Sequence, residues 1–209
     1  MISVLERITQ CDFFDHNLAF EFILIQLLQA CVHNACVEFI ELSPEREATL
    51  LARLGAPEAT VAQRDVYLKT AGIPVALRVR QDGDEARVTL KSGFTKVQGI
   101  RVRDEWEPTI DPAELATWLT IFERLGFPAG TTVEKTRRSW SLPGGVHCLI
   151  DTLDGVGTFC EVEVVADEPT AALQRLEVAI AELGLGDLPR LTRSYRDLVE
   201  QARGLKGQL

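Results

Sequence analysis

Four pairs of like charges, each pair separated by one residue, are the part of this sequence best suited to chemistry. Two pairs are basic and two are acidic: Arg78 and Arg80, Glu105 and Glu107, Lys135 and Arg137, Glu161 and Glu163. On a β-strand, residues i and i+2 point to the same face because successive side chains alternate. Like charges side by side repel, so their repetition indicates a site. Basic strands can bind a polyphosphate, and acidic strands can hold the divalent metals that accompany it.

Turn and capping residues divide the chain into elements that can position these pairs. Ser43-Pro44-Glu45 predicts a helix start, because Ser is a good N-cap and Pro fits the first helical position; this helix ends at Gly55. Two glycines predict a loop over residues 91–100. The predicted strands are 37–42, 60–68, 76–80, 85–91, 102–110, 131–142, 146–152 and 158–165. The other predicted helices are 111–125, 168–183 and 195–205.

The alternation within the predicted strands favours a barrel with a polar interior. Cys160, Val162 and Val164 share one face, while Glu161 and Glu163 share the other. The apolar faces need cover, which amphipathic helices can provide, and closing the sheet removes its exposed edges. We therefore expect an α+β fold, an antiparallel β-barrel with flanking helices.

The first 36 residues differ in composition from the rest of the chain. They hold three of the five cysteines and neither Gly nor Pro. We interpret residues 1–36 as an atypical N-terminal extension, helical or poorly ordered, and residues 37–205 as the barrel domain.

Composition and charge narrow the classes of partner. The 209 residues carry a net charge of −9, which argues against nonspecific nucleic-acid binding, although a local basic cluster can still bind an anionic substrate. The apolar stretch at 18–32 is interrupted by Glu21, Gln26 and Gln29 and is too short for a convincing membrane span. Five cysteines without a CxxC pair are typical of a reducing cytoplasm. We expect a cytoplasmic protein without nucleic-acid or membrane partners, and we allow for a homodimer.

Taken in order, the motifs resemble the CYTH family of triphosphate tunnel enzymes, which includes class IV adenylyl cyclases, thiamine triphosphatases and inorganic triphosphatases. The resemblance covers roughly residues 37–199. Its most specific segments are residues 65–68, 76–80, 88–91, 105–107, 134–137 and 155–163, together with Asp151. Arg193-Ser194-Tyr195 is more similar to the class IV cyclases than to the thiamine triphosphatases.

The resemblance implies an eight-stranded antiparallel tunnel that binds a nucleoside or inorganic triphosphate with Mg²⁺ or Mn²⁺. The implied triphosphate ligands are Arg78, Arg80, Lys91, Lys135 and Arg137. The implied metal ligands are Glu105, Glu107, Asp151, Glu161 and Glu163. Arginine forks suit phosphate oxygens, and hard oxygen ligands suit these metals. Arg87 lies in phase with Lys91 and is a further candidate for the basic lining, and no residue is assigned as a general acid or base.

One expected motif is missing from the start of the domain. The family's first strand carries Glu-x-Glu-x-Lys, which should fall near residues 34–38, where only Glu38 is acidic. Three explanations stay open. The protein is a weakened or inactive member, or Glu38 suffices beside the other acids, or residues 1–36 are not the segment with which this domain evolved.

Three functions follow from the resemblance. The first is a class IV adenylyl cyclase-like enzyme that converts ATP to cyclic AMP and pyrophosphate. The second is an inorganic or thiamine triphosphatase of the same fold. The third is a triphosphate-binding module with weakened or lost catalysis. The acidic residues are shared between the enzymes, so the motifs do not separate them.

Overall fold

The computed structural model describes residues 31–36, 39–70, 72–97, 100–165 and 169–204. Within these ranges the chain forms eleven strands, four α-helices and one 3-10 helix, Pro112–Glu114. The strands are β1 (Cys31–Cys36), β2 (Phe39–Leu42), β3 (Ala59–Leu68), β4 (Ala76–Asp82), β5 (Glu85–Val97), β6 (Ile100–Trp106), β7 (Thr109–Ile110), β8 (Ala129–Leu142), β9 (Val146–Leu153), β10 (Gly157–Val165) and β11 (Arg190–Leu191). The helices are α1 (Pro44–Leu54), α2 (Leu115–Arg124), α3 (Pro169–Glu182) and α4 (Tyr195–Ala202).

Eight antiparallel strands form the wall of the barrel. Their order is β1-β6-β5-β4-β3-β8-β9-β10, and β1 also pairs with β10, so the ladder returns to its first strand. β2 pairs with β10 next to β1 and carries β11 on its other edge, and β7 pairs with β5. The predicted α+β fold, an antiparallel eight-stranded barrel with flanking helices, is confirmed.

Local signals placed most element boundaries well. α1 begins after Ser43, whose hydroxyl accepts a hydrogen bond from the Arg46 amide, and it ends at Gly55, which has a φ of 72°. A left-handed φ of this kind favours glycine because it has no Cβ. The loop predicted over residues 91–100 was wrong for much of its length, because β5 continues to Val97 and pairs with β6. The register of this pairing shifts between Ser92 and Thr95, so glycine here marks an irregularity within a strand.

Residues 31–36 belong to the sheet, although the sequence assigned them to the N-terminal extension. β1 lies between β6 and β10, with Val32 opposite Glu105 and Cys36 opposite Glu163. Both neighbouring strands offer unpaired backbone groups to this segment, a long-range effect that local composition does not reveal. The rest of the proposed extension, residues 1–30, lies outside the described residues, so the division of the chain into two parts stays a prediction.

Helices cover the outer face of the barrel. α3 and α1 lie over a core that includes Cys160, Val162 and Val164, as the alternation predicted. α2 packs over a second core around Val66, Val79 and other outer-face residues of β3 to β5. Within the described part of the chain, no helix combines the length and apolar character needed to cross a membrane.

α4 packs differently, on the same strand faces as the charged pairs. Its Leu198 and Val199 join Val133, Leu153 and Phe159 in a third apolar core. α4 therefore bounds the charged interior rather than the outer surface.

Candidate functional site

The charged strand faces converge on one cavity of about 300 Å³. Of the ten residues to which the sequence assigned triphosphate or metal binding, all but Asp151 line it. They are Arg78, Arg80, Lys91, Glu105, Glu107, Lys135, Arg137, Glu161 and Glu163. The first turn of α4 adds Tyr195, Arg196 and Asp197 to the lining. The structure thus brings basic and acidic residues from distant parts of the chain into a single space.

One side of the cavity is built around Asp65 on β3, and we call Asp65, Arg78 and Arg80 the Asp65 wall. Arg80 Nε and Nη2 donate to the two carboxylate oxygens of Asp65 at 2.6 and 2.8 Å. Arg78 Nη1 lies 3.4 Å from Asp65 Oδ2. Asp65 is fully buried. Its negative charge neutralises part of the charge of two arginines that would otherwise repel each other. Two N–H···O bonds to one carboxylate also fix the direction of the Arg80 fork.

Another side is built around Asp151 on β9, and we call Asp151, Lys135 and Arg137 the Asp151 wall. Arg137 Nε and Nη2 donate to Asp151 at 2.8 and 2.6 Å, and Lys135 Nζ donates to it at 2.7 Å. Asp151 is also fully buried and lies behind the basic residues that line the cavity. Its predicted role as a metal ligand stays a prediction. In this arrangement its oxygens accept hydrogen bonds from Lys135 and Arg137.

Three of the remaining acids face the cavity and pair with bases that face the same cavity. Lys91 Nζ lies 2.8 Å from Glu105 Oε1 across the β5–β6 pair. Arg78 Nη2 donates to Glu107 Oε1 at 3.1 Å. Thr89 Oγ1 donates to the same Glu107 oxygen at 2.7 Å and accepts from Arg78 Nε at 3.1 Å.

On the Asp151 side, the carboxylate of Glu161 takes the corresponding position. Arg137 Nη2 donates to Glu161 Oε2 at 2.9 Å. The guanidinium of Arg137 therefore joins a buried aspartate to a glutamate at the cavity surface.

Burial and neighbouring charges shift several pKa values. Burial alone would raise the pKa of Asp65, but the charges of Arg78 and Arg80 hold it well below its ordinary value. The pKa of Asp151 is lowered against burial in the same way, by Lys135 and Arg137. Both carboxylates are therefore ionised at neutral pH.

The pKa of Lys135 shifts in the opposite sense to the pKa of Arg137, which burial would lower but Asp151 raises. Burial and the adjacent charge of Arg137 lower the pKa of Lys135 to about 7, even though Asp151 opposes the shift. The Nζ atom also lies 4.6 Å from the centre of the Tyr195 ring, which belongs to α4. Lys135 is thus a cavity-lining cation that can lose its charge near neutral pH.

The carboxylates fit a hard divalent metal by their chemistry. Glu105, Glu107, Glu161 and Glu163 all supply oxygen ligands to one cavity, as Mg²⁺ or Mn²⁺ requires. Among the described residues, however, no three acidic, His or Cys side chains come together as a group that could hold an ion. The donors are suitable, but the protein alone does not assemble them into a cage.

One of the two further candidates does not join this lining. Arg87 is not among the lining residues and instead lies 2.7 Å from Glu85 and 3.6 Å from Asp82. Glu38 lies outside the described residues. The β1 positions opposite Glu105 and Glu163 are Val32 and Cys36, so neither of these positions carries the acid that the family's first strand would supply.

Sequence reasoning missed Asp65, although it noted the segment around it. The available signal was its phase, because Asp65 shares a strand face with Gln63 and Tyr67, on the strand next to the one that carries Arg78 and Arg80. A lone acid beside a basic strand pair indicates a buried counter-charge. Tyr195 and Asp197 were also missed as lining residues, since their helix reaches the cavity only through tertiary packing.

Comparison with known proteins agrees with this architecture. The family model described as CYTH domain matches residues 40–195. Adenylate cyclase CyaB of Aeromonas hydrophila is 32% identical over 92 residues, covering 43% of this chain and 48% of the relative. An inorganic triphosphatase of Nitrosomonas europaea is 40% identical over 97 residues, covering 46% of this chain and 56% of the relative. The chain spans about half the length of the curated relatives it matches.

Solved structures share the fold. The PH1012 protein of Pyrococcus horikoshii OT3 superimposes with a TM-score of 0.66 at 24% identity. The match covers 79% of this chain and 98% of that one. At this level of identity the likeness concerns the fold alone.

Proposed function

The chain belongs to the CYTH family, and from that premise we propose that it is a metal-dependent enzyme that hydrolyses a compact triphosphate. The observation that carries the proposal is the cavity, in which six cations and five carboxylates share about 300 Å³. Cations of this number suit a chain of phosphate groups, and the carboxylates suit the metal that accompanies it.

The arginines of the two walls would bind the phosphates with guanidinium groups that are already held in position. Asp65 already fixes Arg80, and Asp151 already fixes Arg137, so little side-chain ordering is left for the binding step. The first turn of α4 also faces the cavity, and the partial positive charge of a helix N-terminus favours an anion there.

Glu105, Glu107, Glu161 and Glu163 would hold the metal. When bound, Mg²⁺ or Mn²⁺ supplies positive charge that stabilises the oxygens of the phosphate undergoing transfer. In the proposed reaction water attacks the terminal phosphorus, the bond to the bridging oxygen breaks, and the products are orthophosphate and pyrophosphate.

The lining favours a compact substrate over a nucleotide. Besides its charged residues, the cavity offers a purine ring chiefly Tyr67, Ala76 and Tyr195. The ring centre of Tyr67 lies 5.9 Å from the Arg196 guanidinium, and that of Tyr195 lies 4.6 Å from Lys135 Nζ. Both rings already have cationic neighbours, so a base would have to displace them. The similarity to an inorganic triphosphatase at 40% identity supports the same choice.

A cyclase is the second candidate. The similarity to adenylate cyclase CyaB and the Arg193-Ser194-Tyr195 segment favour it. The ribose 3′-hydroxyl of ATP would then attack the α-phosphate in place of water. Thiamine triphosphate as substrate and a binding module without turnover are further outcomes of the same test.

Product analysis tests these functions. Purified protein is incubated with Mg²⁺ or Mn²⁺ and with inorganic triphosphate, thiamine triphosphate or ATP, and the products are resolved by chromatography. Orthophosphate and pyrophosphate from inorganic triphosphate are the expected products. Cyclic AMP with pyrophosphate from ATP would instead favour the cyclase, and saturable binding without product would contradict both enzymes.

A matched pair of variants links the activity to the cavity. Arg137→Ala removes a lining cation, and we expect kcat/KM to fall by about 100-fold, as for loss of one fixed donor to a developing charge. Arg138→Ala is the control, because Arg138 is the next residue on β8 and pairs with Glu47 instead. Equal losses of kcat/KM in the two variants would contradict the assignment of the activity to this cavity.

A further inference from the structure

Three carboxylates of the cavity are held by cations of the same cavity. The pairs are Lys91 with Glu105 at 2.8 Å, Arg78 with Glu107 at 3.1 Å and Arg137 with Glu161 at 2.9 Å. Every acid in these pairs belongs to the proposed metal ligands, and every base belongs to the proposed triphosphate ligands. The two sets of ligands are therefore partners of each other.

This pairing opposes the binding of either ligand by itself. A metal that took Glu105 would remove it from Lys91, and only 16% of the Lys91 side chain is exposed. A triphosphate that took Lys91 would remove it from Glu105, whose side chain is 6% exposed. Separating one partner from a desolvated charge pair is strongly unfavourable, because the other charge has too little water around it to compensate.

Both ligands together remove this obstacle. The cations would exchange their carboxylate partners for triphosphate oxygens, and the carboxylates would be free to hold the metal. Mg²⁺ is usually bound by one or two carboxylates plus substrate phosphates rather than by an all-protein cage. This mode of binding is consistent with the absence, among the described residues, of any group of three potential metal ligands.

We propose that metal and triphosphate enter this cavity as a coupled pair through exchange of these three ion pairs, an inference that rests on the proposed function. Each ligand alone binds weakly, and each raises the affinity for the other by the same factor, since coupling between sites is reciprocal. The expected factor is about 5- to 150-fold.

Binding of Mn²⁺ alone gives the sharpest test. Lys91→Gln releases Glu105 from its partner, so the full-length variant should bind Mn²⁺ in the absence of triphosphate at least about 5-fold more tightly than the wild type. Free Mn²⁺ is measured by electron paramagnetic resonance. The control is Arg80→Gln, which removes one positive charge from the same cavity but from a residue whose carboxylate partner, Asp65, does not line it. Equal tightening in the two variants, or none in Lys91→Gln, would overturn the exchange.

The reverse arm uses triphosphate alone in EDTA, measured by calorimetry. Glu105→Gln should bind it at least about 5-fold more tightly than the wild type. Glu134→Gln, which removes a negative charge beside Arg64 on the exposed surface, should leave the affinity unchanged. This arm tests the proposal even if Lys91→Gln fails to fold, and an unchanged affinity in Glu105→Gln contradicts it.

The two proposals fail in different ways. Hydrolysis of triphosphate by the wild type with no tightening in either arm would leave the function standing and remove the coupling. Tightening in both arms without turnover of any triphosphate would retain the coupled binding and remove the hydrolase.

Discussion

The Asp65 wall and the Asp151 wall follow the same plan but differ in one residue type. In each, a fully buried aspartate stands directly opposite an arginine on the neighbouring strand, Arg80 in one case and Arg137 in the other. The second cation is Arg78 on the Asp65 wall and Lys135 on the Asp151 wall. An arginine keeps its charge at any ordinary pH, whereas a buried lysine can lose it.

Because of this difference, one wall of the cavity has a permanent charge and the other has a charge that can change. Burial would lower the pKa of Arg78, but Asp65 together with Glu107 and Glu105 raises it, while burial and Arg137 lower the pKa of Lys135 to about 7. The Asp65 wall is therefore fixed in charge. The charge of the Asp151 wall depends on pH and on whatever anion occupies the cavity.

Removal of the two aspartates should give the largest contrast. Asp65→Asn leaves two buried arginines short of a counter-charge, and we expect the free energy of unfolding to fall by about 3–5 kcal/mol. Asp151→Asn should cost at least about 1 kcal/mol less at pH 8, because Lys135 can become neutral, and one pKa unit corresponds to about 1.4 kcal/mol. Urea unfolding of both variants measures the difference. An equal or larger loss in Asp151→Asn would show that the lysine gives no relief.

The second largest effect should be the pH dependence of the affinity for triphosphate. Phosphate oxygens favour the charged form of Lys135, so its pKa is higher in the complex than the value of about 7 in the free protein. Below pH 7 Lys135 is protonated both in the free protein and in the complex, so its contribution to the affinity does not change with pH. Above pH 7 the free protein loses its proton first, and the affinity should fall by up to about tenfold per pH unit.

Calorimetry in EDTA between pH 6 and pH 9 measures this slope. Lys135→Arg supplies the control, because a permanently charged side chain removes the contribution of this residue and leaves the titration of the ligand itself. Identical slopes in the variant and the wild type would mean that Lys135 is not the titrating group.

Destabilising α4 should have a smaller effect, confined to the Asp151 wall, because α4 supplies the Tyr195 ring beside Lys135. Ser194 caps α4 in a capping box with Asp197. Ser194→Ala should lower the free energy of unfolding by about 1 kcal/mol and admit water around Lys135, which raises its pKa. The onset of the fall in triphosphate affinity should then move to higher pH. An onset that stays in place while stability falls would show that α4 does not control the burial of Lys135.

Much of the site could be predicted because strand alternation is a local property. The spacing of Arg78 with Arg80, and of Lys135 with Arg137, is enough to put each pair on one face, and the cavity contains all four. Local signals also explain the start of α1 at Ser43-Pro44.

Other features depended on contacts far apart in sequence. The pairing of Lys91 with Glu105 follows from the register of β5 against β6, through a segment that the glycines had marked as a loop. β1 joins the sheet because β6 and β10 both offer it an edge, and nothing within residues 31–36 indicates those partners.

The sequence by itself determined which charges share a strand face and the order in which basic and acidic strands follow one another. The tertiary structure decided which acid meets which base, since strand register, set by the whole barrel, brings Asp65 to Arg80 and Asp151 to Arg137. It also decided how deeply each charge is buried. Arg78 and Lys135 are buried to a similar extent, and this burial lets the lysine lose its charge while the arginine keeps it, so the residue type supplied by the sequence acts only through the burial that the fold supplies.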